Sequence, residues 1–135
     1  MKLLLDINVI LDVVLGRKPW VHEAARLLSA VEEGRAEGHV AAHTITTIYY
    51  IVAREKGRQA AARAVTDLLR IVRVVAIGGS DLQQALVLDI DDFEDAVQAA
   101  AALQIGADYL VTRNAKDFGD ASAEVCTPGE VLAML

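Results

Sequence analysis

The residues best suited to chemistry in this sequence are acids placed beside short apolar runs. Asp6 ends the run Leu3-Leu4-Leu5, and five acids between Asp89 and Asp95 precede an alanine-rich stretch. Thr112, Arg113, Asn114 and Asp117 come directly after Tyr109-Leu110-Val111. Carboxylates held close together raise one another's pKa unless a cation intervenes. Mg²⁺ suits that task, because it takes one or two protein carboxylates and keeps its other positions for water or phosphate oxygens. Mn²⁺ accepts the same oxygen donors. Such a site is suited to phosphodiester hydrolysis, in which the metal stabilises charge on the phosphate, acidifies a water and orients its attack. The alternative is that each acid caps a helix or solubilises a face.

Whether these acids meet depends on the elements that carry them. Leu3-Leu4-Leu5 reads as a buried parallel strand, with no solvated face. Asn8 is expected to cap a helix that reaches Gly16, and Pro19 to open a second that ends at Gly34. His39 to Ala42 reads as a strand. Thr44 to Ala53 is rich in β-branched residues, yet Ile45, Ile48, Tyr49 and Val52 recur at helical spacing, so a helix is expected. Ala60 to Ile71 is an amphipathic helix, and Val72 to Ile77 a strand. Ser80 is expected to cap a short helix, and Asp91 or Asp92 a longer one ending near Gly106, with Asp95 in its first turn. Tyr109–Val111 and Glu124–Cys126 are further strands, and Thr127-Pro128 opens a terminal helix.

Strands alternating with helices imply an α/β chain, a three-layer α/β/α sandwich around a parallel sheet of about five strands. Ligands of such sheets bind beyond the carboxyl ends of the strands, where strand order reverses. If the first and fourth strands are neighbours, Asp6, Asp95 and Asn114 or Asp117 converge there.

The 135 residues are 54% apolar with two prolines, which fits a single domain over residues 1–135 with no linker or repeat. The formal charge of −6 argues against a protein that coats DNA irrespective of sequence, since such binding relies on Lys and Arg. Cys126 is the only cysteine, so an intramolecular disulfide and a multi-thiolate zinc site are excluded. Asp6 interrupts the leucine run too early for a signal core or a membrane span, and Ala96–Ala102 is too short to cross a bilayer. A cytoplasmic protein without membrane attachment is expected.

Leu5-Asp6-Ile7-Asn8-Val9-Ile10-Leu11-Asp12, Ile45-Thr46-Thr47-Ile48-Tyr49-Tyr50-Ile51, Asp92-Phe93-Glu94-Asp95-Ala96 and Val111-Thr112-Arg113-Asn114-Ala115-Lys116-Asp117-Phe118 resemble the successive motifs of PIN-domain proteins. The resemblance spans nearly the whole chain, and is nearest to the small VapC-type toxins. It implies a parallel α/β/α sandwich, a Mg²⁺- or Mn²⁺-dependent endoribonuclease, a homodimer and a small antitoxin partner. By position, Asp6 and Asp95 match metal ligands. Asn114 stands where many members carry an acid, and Asp117 follows three residues later as a further ligand. Ile7 replaces a frequent Thr, and Thr47 stands where relatives carry Glu or Asp, so two of four acid positions are non-ionisable here. On this reading Asp6, Asp95, Asn114 and Asp117 are catalytic. Asn8, Thr47, Thr112, Arg113 and Lys116 place water or phosphate, and Asp92 supports them from behind. The two replacements also motivate another reading, a fold kept as a binding or regulatory module with weak catalysis.

Among other residues, Asp12 lies more than a turn beyond Asp6 and reads as structural. His22, His39 and His43 have no ligand spacing. Tyr49 and Tyr50 point about 100° apart on a helix, so one is expected to pack and the other to remain available. Between His43 and Arg73 there are six Lys or Arg against two acids, a basic stretch suited to an RNA backbone or an acidic partner.

Overall fold

The computed structural model of the chain describes residues 1–119 and 123–135. Five strands, β1 (Lys2–Leu5), β2 (Glu37–Ala41), β3 (Arg73–Val75), β4 (Tyr109–Val111) and β5 (Glu124–Cys126), form one sheet in the order β3-β2-β1-β4-β5. Every pairing is parallel. The chain builds outward from β1 to β3, then returns to the other side of β1 with β4. Strand order therefore reverses between β1 and β4, and Leu5 sits opposite Val111 at the carboxyl edge.

The leucine run behaves as its composition requires of a central strand. Leu3 and Leu5 enter one apolar core while Leu4 enters the other, and all three are fully buried. The first core is covered by α1 (Ile7–Val14), α2 (Val21–Glu32), α3 (Ala42–Lys56), α4 (Arg58–Ile71) and α7 (Pro128–Met134). The second is covered by α5 (Gly79–Val87) and α6 (Phe93–Ile105). This is the expected three-layer sandwich.

Local differences from the sequence reading have physical causes. The Asp6 N–H is bonded to the Val111 carbonyl, so strand pairing runs to the last possible residue and α1 starts at once. Asp6, not Asn8, therefore occupies the position before the helix. Gly78, not Ser80, precedes α5, and its N–H donates to the Asp81 carboxylate at 2.8 Å. The stretch from Thr44 is helical despite its β-branched content, because Thr44, Ile48 and Val52 form a buried stripe at i, i+4. That stripe leaves both Tyr49 and Tyr50 exposed, correcting the expectation that one of them packs. Asp92 does cap α6, and Gly106 closes it in the left-handed conformation with φ 61°.

Gly38 sets the approach of α2 to the sheet. A Cβ built there would lie 2.8 Å from a methyl of buried Val31, whose branched side chain has little room to turn away. Gly38→Ala is expected to cost about 1–2 kcal/mol in denaturant unfolding, as overpacked cores do. Val31→Ala in the same chain should recover part of that loss, and an unchanged midpoint in Gly38→Ala would contradict the close contact.

Candidate active site

The reversal of strand order places Asp6 and Thr112 side by side at the ends of β1 and β4. Asp6 is only 2% exposed, and both its oxygens are bonded. Oδ2 accepts the Thr112 hydroxyl at 2.9 Å, and Oδ1 accepts Gln98 Nε2 at 3.0 Å. Gln98 reaches in from α6, one turn beyond Asp95, and the same Nε2 also donates to Asp95 Oδ1 at 3.3 Å. Its Oε1 in turn accepts the Ile7 N–H at 3.1 Å. One amide thus joins Asp6, Asp95 and the start of α1. Gln98 had not been singled out from sequence, although it is the one polar residue in the buried run Ala96–Ala102 and lies three positions from Asp95.

Asp95 opens on a cleft of about 310 Å³ that Asp89, Asp91, Asp92, Lys116 and Asp117 also line. Asp92 accepts the Asp95 N–H at 3.0 Å and so fixes the first turn of α6. Asp117 and Lys116 lie on a short 3₁₀ turn (Ala115–Phe118) that follows Asn114. The Asn114 carbonyl accepts the Asp117 N–H and starts that turn. A larger cavity of about 400 Å³ lies at the opposite, amino-terminal edge of the sheet beside Met1, Glu37 and Arg73, away from these groups.

Several side chains expected to place water or phosphate are otherwise engaged. Thr112 is fully buried, and its hydroxyl, besides donating to Asp6, accepts the Asn114 N–H at 3.0 Å. It cannot reach a substrate phosphate; it positions Asp6 and the loop after β4. Arg113 donates through Nε and Nη2 to Asp12, at 2.8 and 3.3 Å, and its guanidinium stacks 3.8 Å from the centre of the Trp20 ring. Asp12 and Trp20 thus engage this guanidinium on the α1 side, while Lys116 lines the cleft. Asp12, at 1% exposure, is the structural acid its spacing suggested. Asn8 Oδ1 lies 3.4 Å from Arg17 Nη1 on the α1 side. The Thr47 hydroxyl is shared between the His43 carbonyl at 3.2 Å and Glu94 Oε1 at 3.3 Å, so α6 supplies an acid opposite this threonine.

The electrostatics follow from this crowding. Burial pushes the Asp6 carboxyl up, against the opposing pull of Gln98, Thr112 and the first amides of α1. Asp95 is pushed up to about 7, first by burial, then by the charges of Asp6, Asp92, Asp117 and Glu94. A half-buried acid so displaced marks a place of unneutralised negative potential.

Residues 2–116 match the family model described as PIN domain. The chain is a PIN-domain protein. No curated protein sequence matches it. Among solved structures, it is similar to the DNA-bound VapBC complex from Salmonella typhimurium, at a TM-score of 0.74 and 13% identity over 95% of this chain and 98% of that one. It is also similar to a toxin-antitoxin complex from Klebsiella pneumoniae, at 0.70 and 22% over 93% and 96% of the two chains. A third likeness is to Mycobacterium tuberculosis VapC20, a toxin that cleaves the sarcin-ricin loop, at 0.67 and 18% over 80% and 86%. At these identities the likeness shows a shared fold.

In this PIN domain the donor set suits a hard divalent cation. Asp6 and Asp95 direct oxygens at one shared nitrogen, and among the described residues the five acids lining the cleft beside Asp95 and including it face one cation, Lys116. Among the described residues no three His, Cys, Asp or Glu side chains close into a metal-holding group, so Asp117 contributes its charge to the cleft without completing a three-acid cage. Two carboxylates suffice for Mg²⁺, which retains water in its remaining positions.

The raised Asp95 value has a stability consequence with a definite sign. Between the ordinary 3.8 and about 7 the folded PIN domain binds a proton that the unfolded chain has released. This group's contribution is therefore present at the acidic end of the window and lost as pH rises through it. Without divalent metal, the wild type should lose melting temperature relative to Asp95→Asn as pH is raised from about 4 to 8. A difference that is flat across the window, or that grows in the wild type's favour, would contradict the displaced carboxyl.

Proposed function

We propose that this PIN-domain chain is a divalent-metal-dependent endoribonuclease, the toxin of a toxin-antitoxin pair. The observation that carries this reading is the convergence of Asp6 and Asp95 on one donor nitrogen at the point where strand order reverses, beside an acidic cleft. When bound, Mg²⁺ or Mn²⁺ supplies charge stabilisation at the scissile phosphate and an acidified water. The chain's own residues do the rest. Asp6 and Asp95 would hold the ion, with Asp117 adding its charge to the cleft and the Asn114 backbone starting the turn that carries Asp117 there. Thr112 and the Asp92 cap keep the two ligands oriented. Lys116 meets the phosphate from the rim, where an ammonium acts as a point charge.

A protein partner is supported by a second feature. An apolar groove of about 360 Å³ runs between α1, α3 and α4, lined by Ile10, Val14, Val52 and Leu68, with Lys56, Arg63 and one acid, Asp67, among its polar lining. Its chemistry suits an apolar segment flanked by acids, as an antitoxin tail would present. Leu82, Leu86 and Val87 on α5, with Phe93, are exposed and supply apolar surface for a homodimer contact. Among the described residues no helix is long and apolar enough to cross a membrane. We place the protein in the cytoplasm with its RNA substrate.

A module with weak catalysis is favoured by one observation: among the described residues no three acids close into a metal-holding group, with Thr47 and Asn114 at two positions where an acid would add charge. Cleavage of RNA by purified wild type and Asp95→Asn, each titrated with Mn²⁺, separates the two readings. The nuclease reading expects metal-dependent cleavage by the wild type and a loss on the order of a hundredfold in the variant, comparable to removing one transition-state charge stabiliser. Equal metal-dependent cleavage by both would remove Asp95 from the site. Absence of cleavage together with no heat of divalent binding at millimolar concentration would favour the binding module.

A further inference from the structure

Gln98 is among the most buried polar side chains of the molecule, at 2% exposure, on a helix whose other core-facing residues are mostly alanine. A glutamine there costs desolvation of an amide, which is recovered only when its hydrogen bonds are made. Three are made, and their arrangement is specific. Oε1 is fixed by the Ile7 N–H, while Nε2 divides its two hydrogens between Asp6 Oδ1 and Asp95 Oδ1.

We propose that the Gln98 amide is a placeholder for the cation, a positioning group that keeps Asp6 and Asp95 converged while no ion is bound and withdraws when one is. The inference rests on the metal-site reading given above. A cation bridging those same two oxygens would occupy the space between them where Nε2 now sits, against its two N–H hydrogens, so the amide and the ion exclude each other there. The residue type fits the task. A lysine would neutralise the pair permanently and bar a divalent ion. An apolar residue would leave buried Asp6 and half-buried Asp95 facing each other with no donor between them. A glutamate would add a third like charge. A neutral donor with two hydrogens stabilises the pair enough to preserve the geometry and little enough to be exchanged. The Ile7 bond provides a fixed point for the side chain at the start of α1.

The placeholder role has a sign opposite to that of an ordinary orienting partner, whose loss weakens metal binding roughly 10- to 100-fold. The full chain is compared as wild type, Gln98→Met and Gln98→Glu, by Mn²⁺ calorimetry and by thermal melting with and without Mn²⁺. Gln98→Met is expected to melt below the wild type without metal. It should bind Mn²⁺ about tenfold more tightly, the worth of one charge-assisted hydrogen bond no longer surrendered. Gln98→Glu keeps the acceptor for Ile7, so it guards against misfolding at that bond. It should melt lowest without metal and gain the most from Mn²⁺. Mn²⁺ affinity in Gln98→Met that is unchanged or weaker would overturn the proposal, as would equal metal-free melting of Gln98→Met and wild type. A wild type that takes up no Mn²⁺ at all would instead overturn the metal-site reading, and the metal-free melting comparison would still judge whether Gln98 holds the pair.

Discussion

Asp6 sits at the end of the central strand with almost no contact with water. A carboxylate in that position is costly unless its lone pairs are satisfied by donors held in place for it. The surrounding architecture follows from that requirement. Thr112 has to stand at the same level on β4, which the parallel register of β1 and β4 ensures. Gln98 has to arrive from the opposite layer, which requires α6 to lie close to the sheet. Its run of buried alanines allows that approach, since larger side chains would hold the helix away. Because Asp95 is one turn before Gln98 on that helix, satisfying Asp6 also brings the second carboxylate to the same point.

The loop after β4 is governed by a parallel constraint. Asp12 is buried on α1, and its partner Arg113 is clamped between that carboxylate and the Trp20 ring. Breaking such a pair from one side leaves an uncompensated charge, so the clamp fixes where the chain leaves β4. Thr112 and the Asn114 backbone then lead into the turn that carries Lys116 and Asp117 to the cleft. Residues that look like phosphate contacts by charge alone are therefore divided by their neighbours. Arg113 stabilises the scaffold, and Lys116 faces the opening.

Much of this was legible in the sequence because a few strong local signals agree. The apolar runs at Leu3, Tyr109 and Val125, the Asp92 cap and the Gly106 terminus locate β1, β4, β5 and α6 within a residue or two. The adjacency of β1 and β4, a condition in the sequence reading, is what the sheet order supplies. The side-chain partnerships were less legible. Gln98 is invisible to motif reasoning, because its importance comes from two contacts made across the sheet, one 92 positions away to Asp6 and one 91 positions away to Ile7. The Arg113 pairing was hidden for the same reason, since its partner Asp12 is 101 positions distant. Glu94, whose charge bears on Asp95, also meets the Thr47 hydroxyl because α6 packs near α3, a contact that no local pattern announces. The two exposed tyrosines show the complementary limit: helical spacing tells which residues diverge, but the buried stripe through Thr44, Ile48 and Val52 decides which face is covered.

The net charge of −6 also acquires a location. Acids gather around the cleft at the carboxyl edge, while Arg54, Lys56, Arg58, Arg63 and Arg70 are exposed on α3 and α4. Such a distribution concentrates a divalent cation at one place and leaves a basic surface for an anionic partner at another. The central claim is that the carboxylates of Asp6 and Asp95 form a divalent-metal site. Crystals of the full chain soaked in Mn²⁺ and measured at the manganese absorption edge test it most directly. Anomalous density bonded to both carboxylates, with the Gln98 amide moved off them, is the expected result; a cleft without such density at saturating Mn²⁺, with both carboxylates still on Gln98 Nε2, would contradict it.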